Sequence, residues 1–173
     1  MPDETTPAES TSPGPPPIYR PTSRVLVFDA QDRLLLLLLE DPKLEIPRFW
    51  ITPGGGVEPG ETFEAGARRE LLEETGIVAP LGPCVWSRRR PVHYDGRFYD
   101  FDERFFVVKV DSDTVDRSSQ TPWEHKVLTG HRWWTVDELA QTDEVLAPRK
   151  LAELILPIVG GTYPPEPMLL HGW

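Results

Sequence analysis

The chain reads as an α/β protein, on three observations. Short apolar runs bounded by turn residues recur along it. A Gly-rich turn at Pro53-Gly54-Gly55-Gly56 feeds one helix with clear start and stop signals. Shorter helical segments follow near the C-terminus.

Residues 1–17 are rich in Pro, Ser, Thr and acid, and cannot bury enough apolar surface to order alone, so they are expected to be a disordered tail. Ser23–Asp29 predicts a strand and Ala30-Gln31-Asp32 a turn. The six leucines 34–39 predict a second strand, apolar on both faces and therefore central. Asp41–Arg48 reads as a loop, and Phe49–Thr52 as a short strand with Trp50 in the core. Thr62 caps a helix over Phe63–Thr75, with Glu64 in its first turn and Gly76 as its stop. Leu81–Arg90 and Phe98–Val110 predict two strands joined by a hairpin at Tyr94-Asp95-Gly96-Arg97. Asp111–Gly130 is expected to be mostly loop, followed by a strand at His131–Thr135. Trp133 and Trp134 point to opposite faces of that strand, one into the core and the other under cover or against a base. Val136–Gln141 begins a short helix, and Arg149–Ile155 another, interrupted at Pro157. The folded domain is placed at 18–160, with an irregular Pro-rich tail at 161–173.

The 173 residues suffice for one domain with a sizeable core. The single cysteine, Cys84, excludes an internal disulfide and reads as an ordinary strand residue. A net charge of −10 argues against a nucleic-acid polymer or a membrane surface as partner. No secretory signal is visible and the leucine run is too short to span a bilayer, so a soluble cytoplasmic protein is expected.

The helix carries the chemistry. At 100° per residue Glu70 and Glu74 lie one turn apart on one face with Glu73 beside them, all within an arc of roughly 100°. Read backwards, the arc continues into Phe63 and Ala67, so the carboxylates sit on the side that meets the sheet. Crowded, partly buried carboxylates must be protonated or hold a hard cation such as Mg²⁺. An acidic pair alone is an ordinary solvated helix face. Here it comes with a glycine lead-in, Glu61 and Arg69 at set spacings.

The pattern Gly55, Glu61, Arg69-Glu70-Leu71, Glu73-Glu74, Gly76-Ile77 resembles the Nudix box of the Nudix (MutT-like) hydrolases at every fixed position. The resemblance implies an α/β/α sandwich around a mixed sheet, and Mg²⁺- or Mn²⁺-dependent hydrolysis of a nucleoside diphosphate linked to another group. It implies that Glu70, Glu73 and Glu74 are catalytic and bind metal, with the Gly55 carbonyl as a further ligand. Glu124 resembles, by position, a loop acid that serves the family as base or ligand. Glu61 and Arg69 are implied to pair and, with Gly76, to be structural. Tyr94, 17 residues past Ile77, resembles a tyrosine of dinucleoside polyphosphate hydrolases. Pro91, 14 past it, resembles a proline of ADP-ribose hydrolases, and a nucleoside triphosphate is equally open. A homodimer is common in the family. The alternative is a nucleotide-binding regulator of the same fold without turnover.

Outside the box lies one basic cluster, Arg88, Arg89, Arg90 and Arg97 with His93. The cluster is either a solvated hairpin, as most charge runs are, or a set of phosphate contacts at Arg88, Arg90 and Arg97, because arginine matches phosphate geometry in an otherwise acidic chain. Glu103 shares one strand face with Phe101 and Phe105 and needs a partner. It is a candidate for metal or substrate contact, or it pairs with an arginine.

Overall fold

A computed structural model describes residues 16–172. Residues 1–15 of the expected disordered tail lie outside the described residues. Eight strands and four helices follow: β1 Ile18–Phe28, β2 Leu34–Glu40, β3 Arg48–Ile51, α1 Phe63–Thr75, β4 Cys84–Tyr94 and β5 Arg97–Lys109. Then come α2 Pro122–Val127, β6 Leu128–Trp134, α3 Val136–Gln141, β7 Leu146–Ala147, α4 Leu151–Val159 and β8 Met168–Leu170. The strands form one mixed sheet in the order β7-β3-β2-β1-β5-β4-β8, with β6 also paired to β2.

Strand alternation builds a core on each face. Val25, Val27 and Leu35 pack under Ala67 and Leu71 of α1. Leu26, Phe28, Leu34 and Leu36 pack on the other face with Leu139 of α3 and Leu151, Ile155 and Ile158 of α4. Leu34–Leu37 are wholly buried, as a strand covered on both sides requires. The result is the α/β/α sandwich.

One break in the sheet makes room for the site. β1 meets β2 only at Phe28 and Leu34, so the two strands part towards the start of β1. The chain at 53–57 fills the gap: Ser23 donates to the Gly55 carbonyl, Val25 to that of Pro53, and Val57 to that of Pro21. This explains why β1 starts five residues earlier than expected, through Pro21. The missing proline N–H would point to the loop side, so the ladder to β5 stays whole.

Four further expectations change. Residues 122–127 are helical rather than loop, because Thr121 and Glu124 form a capping box with Pro122 at the first helical position. α4 runs through Pro157 to Val159, its stripe Leu151, Ile155 and Ile158 being buried strongly enough to outweigh one lost hydrogen bond. The C-terminal tail is not irregular throughout: β8 pairs in parallel with Trp86–Arg88 of β4. β4 begins after Gly82-Pro83 and reaches Tyr94, where Asp95 and Gly96 both take positive φ, the geometry of a two-residue hairpin. Trp50 and Trp134 are buried and meet edge-on, while Trp133 donates to the Asp113 carbonyl under the neighbouring loop.

Candidate active site

Where β1 and β2 part lies a cavity of about 500 Å³. Glu70 and Glu74 reach it from α1, and Glu124 reaches it from α2. One carboxylate oxygen from each lies within 4.8 Å of the other two. Sequence spacing brings the first two together; only the fold brings the third.

The glycine loop is shaped around these acids. A Cβ on Gly55 would lie 2.6 Å from the Glu70 carboxyl carbon, so the glycine leaves the space that the carboxylate fills. The Gly55 carbonyl accepts from Ser23. Gly54 has φ +133 and donates its N–H to Glu74 Oε2 at 2.7 Å. Its own carbonyl accepts from Arg24 Nη1 at 2.8 Å. Glu70 and Glu74 are both buried. Burial pushes the Glu74 carboxyl up to about 8; Gly54 N–H and Arg24 oppose the rise, and Glu70 and Glu124 add to it. Burial also raises Glu70, against the pull of Arg69. Glu74 at neutral pH therefore either keeps a proton or takes a cation. Three hard oxygen donors crowded in a cleft fit Mg²⁺ or Mn²⁺ by donor chemistry.

Arg69 ties the loop to the helix. Its Nε and Nη2 meet both oxygens of Glu61 at 3.0 Å, Nη2 also donates to the Gly56 carbonyl at 2.7 Å, and Nη1 meets Glu70 at 2.8 Å. The same Nη1 holds Glu73 at 3.1 Å. Glu73, expected in the metal cluster, is therefore drawn to Arg69, half-exposed and outside the group of three. Gly76 closes the helix with φ 69, and its N–H bonds the Leu72 carbonyl.

The basic cluster divides. Arg90 lines the cavity. Arg88 does not: it is buried, with Nε on Glu103 Oε2 at 2.6 Å. Arg97 is exposed at the hairpin, outside the lining. Glu103 has no exposed surface and sits among Arg24, Arg88 and Arg90 at 3.2, 2.6 and 3.5 Å. Burial alone would raise its carboxyl, but the three guanidinium charges overcome burial and hold it at about 2. Of the candidate substrate contacts, Arg88, Arg97 and Glu103 do not line the cavity, and Glu103 takes the arginine pairing that was its alternative reading. Glu103 is enclosed by arginines, Arg88 is spent on it, and Arg97 is exposed and not among the residues that line the cleft. Tyr94 lines the cavity and donates to Asp41 at 2.8 Å, whereas Pro91 does not line it.

Sequence reasoning missed Arg20, Arg24, Phe101 and the exposed Trp123, all of which line the cavity. Trp123 carried a local signal, since it sits inside the capping box Thr121-Pro122-Trp123-Glu124. The other three reach the cleft through strand pairing, which leaves no short-range mark.

The NUDIX domain family model matches residues 18–155. Among relatives, the chain is similar to an RNA pyrophosphohydrolase of Wolbachia pipientis subsp. Culex pipiens (strain wPip). The two are 28% identical over 130 residues, covering 70% of this chain and 77% of that protein. It is 29% identical over 125 residues to the nucleoside triphosphatase NudI of Escherichia coli O17:K52:H18 (strain UMN026 / ExPEC), covering 69% and 85%. A MutT protein structure from Methanosarcina mazei Go1 superposes with a TM-score of 0.64 at 21% identity, covering 80% of this chain and 93% of that one.

Proposed function

Because this chain belongs to the Nudix hydrolase family and is a hydrolase acting on phosphorus-containing anhydrides, we propose that it cleaves the pyrophosphate linkage of a nucleotide with the help of Mg²⁺ or Mn²⁺. The observation that carries this reading is the meeting of Glu70, Glu74 and Glu124 at one end of the cavity.

In this reading Glu70 and Glu74 would hold the cation, and Glu124 lies within reach of both carboxylates. When bound, the cation neutralises the pyrophosphate oxygens and acidifies water. The residues then divide the remaining work. Gly54 N–H and Arg69 fix the two helix carboxylates from opposite sides. Glu124 is the only one of the three that is not buried, so it can exchange protons with solvent, and we assign it as acceptor of the attacking water's proton. Water oxygen forms the new bond to phosphorus, and the bridging oxygen leaves with its electron pair. Leu39, Phe49 and Phe101 line the cleft beyond the acids and supply an apolar wall for the organic part of the substrate. The folded unit is assigned to residues 18–160, with β8 docked on its edge.

The test is product analysis of purified protein with Mg²⁺ and with Mn²⁺ against nucleoside triphosphates, ADP-ribose and dinucleoside polyphosphates. Cation-dependent cleavage of at least one is expected. Tight nucleotide binding with no cleavage would instead support a regulator without turnover.

A further inference from the structure

Cations line this acidic protein's cavity in an uneven state. Arg24 is tied to Glu103 and to the carbonyls of Thr52 and Gly54. Arg90 lies against Glu103 at 3.5 Å and over the Phe101 ring at 5.6 Å. Arg20 is different. Among the described residues, no hydrogen bond or ion pair engages its guanidinium. Arg20 is exposed, and its guanidinium lies beside the glycine loop, where a Cβ on Gly56 would come within 2.7 Å of Nη2 and 2.9 Å of Cζ.

The neighbouring glycine tells what it faces. Gly55 leaves room for the Glu70 carboxylate and Gly56 for the Arg20 guanidinium. Successive loop residues therefore lie against one metal-side acid and one uncommitted cation. Sheet register adds a second relation. Arg20 pairs with Phe101 across β1 and β5, and Arg90 pairs with Phe101 across β4 and β5. The two arginines thus flank one aromatic ring across the cavity floor, about two strand spacings apart.

We propose that Arg20 is a specificity-determining residue that binds the free terminal phosphate of the substrate, and so selects an unblocked polyphosphate over a diphosphate capped at both ends. The inference rests on the pyrophosphohydrolase reading above. A capped diphosphate carries its charges at the linkage beside the carboxylates. A terminal phosphate adds about 1.5 to 2 further negative charges and three acceptor oxygens, which a guanidinium fork matches in pairs. An exposed arginine without an acid partner among the described residues, lining a cleft whose other two arginines lie against Glu103, complements that group.

Wild type, R20A and R20K are assayed with Mg²⁺ on the four common nucleoside triphosphates and on ADP-ribose. R20A should raise KM for the preferred triphosphate about 10- to 100-fold, the range for losing one charged hydrogen-bonding group. It should leave kcat, the melting temperature and ADP-ribose turnover within about twofold of wild type, or within a degree or so for melting. R20K should fall between, keeping the charge without the fork. Calorimetry with the α,β-methylene analogue of ATP and Mg²⁺ reads binding without turnover. Tighter binding by wild type than by R20A upholds the subsite even if no cleavage is seen, in which case only the hydrolase reading fails. Equal effects of R20A on triphosphate and ADP-ribose, or equal binding of the analogue by both proteins, overturns the proposal.

Discussion

Gly54 and Gly55 are adjacent, and an alanine at each meets a different obstacle. At Gly54 a Cβ would stand 2.0 Å from the backbone oxygen of Ser23, in a residue with φ +133. Backbone in β1 cannot yield cheaply, so G54A is expected to lose several kcal/mol, about the range for strain combined with a core clash, and to melt far below wild type. At Gly55 the obstacle is the end of the Glu70 side chain, which can swing aside. G55A should therefore melt within a few degrees of wild type yet lose turnover about tenfold or more, because positioned carboxylates tolerate little displacement. Melting curves and rates on the same preparations check both, and a G55A enzyme of normal activity would contradict the role given to that space. These glycines were legible as a turn because consecutive glycines after a proline permit little else. What each leaves room for was not, since Glu70 and Ser23 arrive from distant parts of the chain.

α1 was readable from end to end because its signals are local: a Thr cap, an acidic first turn, a glycine stop at positive φ. The hairpin at Asp95-Gly96 was readable for the same reason. α2 carried an equally local signal, Thr121-Pro122-Trp123-Glu124, but its six residues sat in a polar stretch that composition assigns to loop. Glu124 has two duties there. Its Oε2 accepts from the Thr121 N–H at 2.7 Å, and its carboxylate faces Glu70 and Glu74. T121A should cost about 1 kcal/mol of stability, the usual worth of an N-cap, while keeping the main-chain N–H that holds the Glu124 carboxylate; E124Q, which removes the proton acceptor itself, should lower kcat more than it changes KM. An unchanged kcat, measured against a confirmed substrate, would detach Glu124 from the reaction. β8 shows the opposite limit. Three residues in a Pro-rich tail become a strand only because β4 offers an edge, and no window of sequence contains that edge.

Across the whole molecule, long-range pairing decides which charges meet. Arg24, Arg88, Arg90 and Glu103 come from β1, β4 and β5, and only their register encloses the carboxylate. Glu103 has a folded-state value of about 2 against an ordinary 4.5. Between these values the unfolded chain binds more protons, so stability rises with pH through that window. The contribution, on the order of 3 kcal/mol, is complete above about pH 4.5 and lost as pH falls towards 2. E103Q should be less stable at neutral pH, because the buried Arg88 and the part-buried Arg24 and Arg90 lose the charge they surround, and should show a flatter loss between pH 4.5 and 2. Denaturant titrations at several pH values check the slope. The central claim concerns the other buried acids. Calorimetric titration of Mn²⁺ into wild type and into the E70Q/E74Q double variant at neutral pH tests it directly. The account predicts saturable binding to wild type, and its loss in a variant that still melts cooperatively. Equal binding by both proteins, or no binding by wild type, would contradict it.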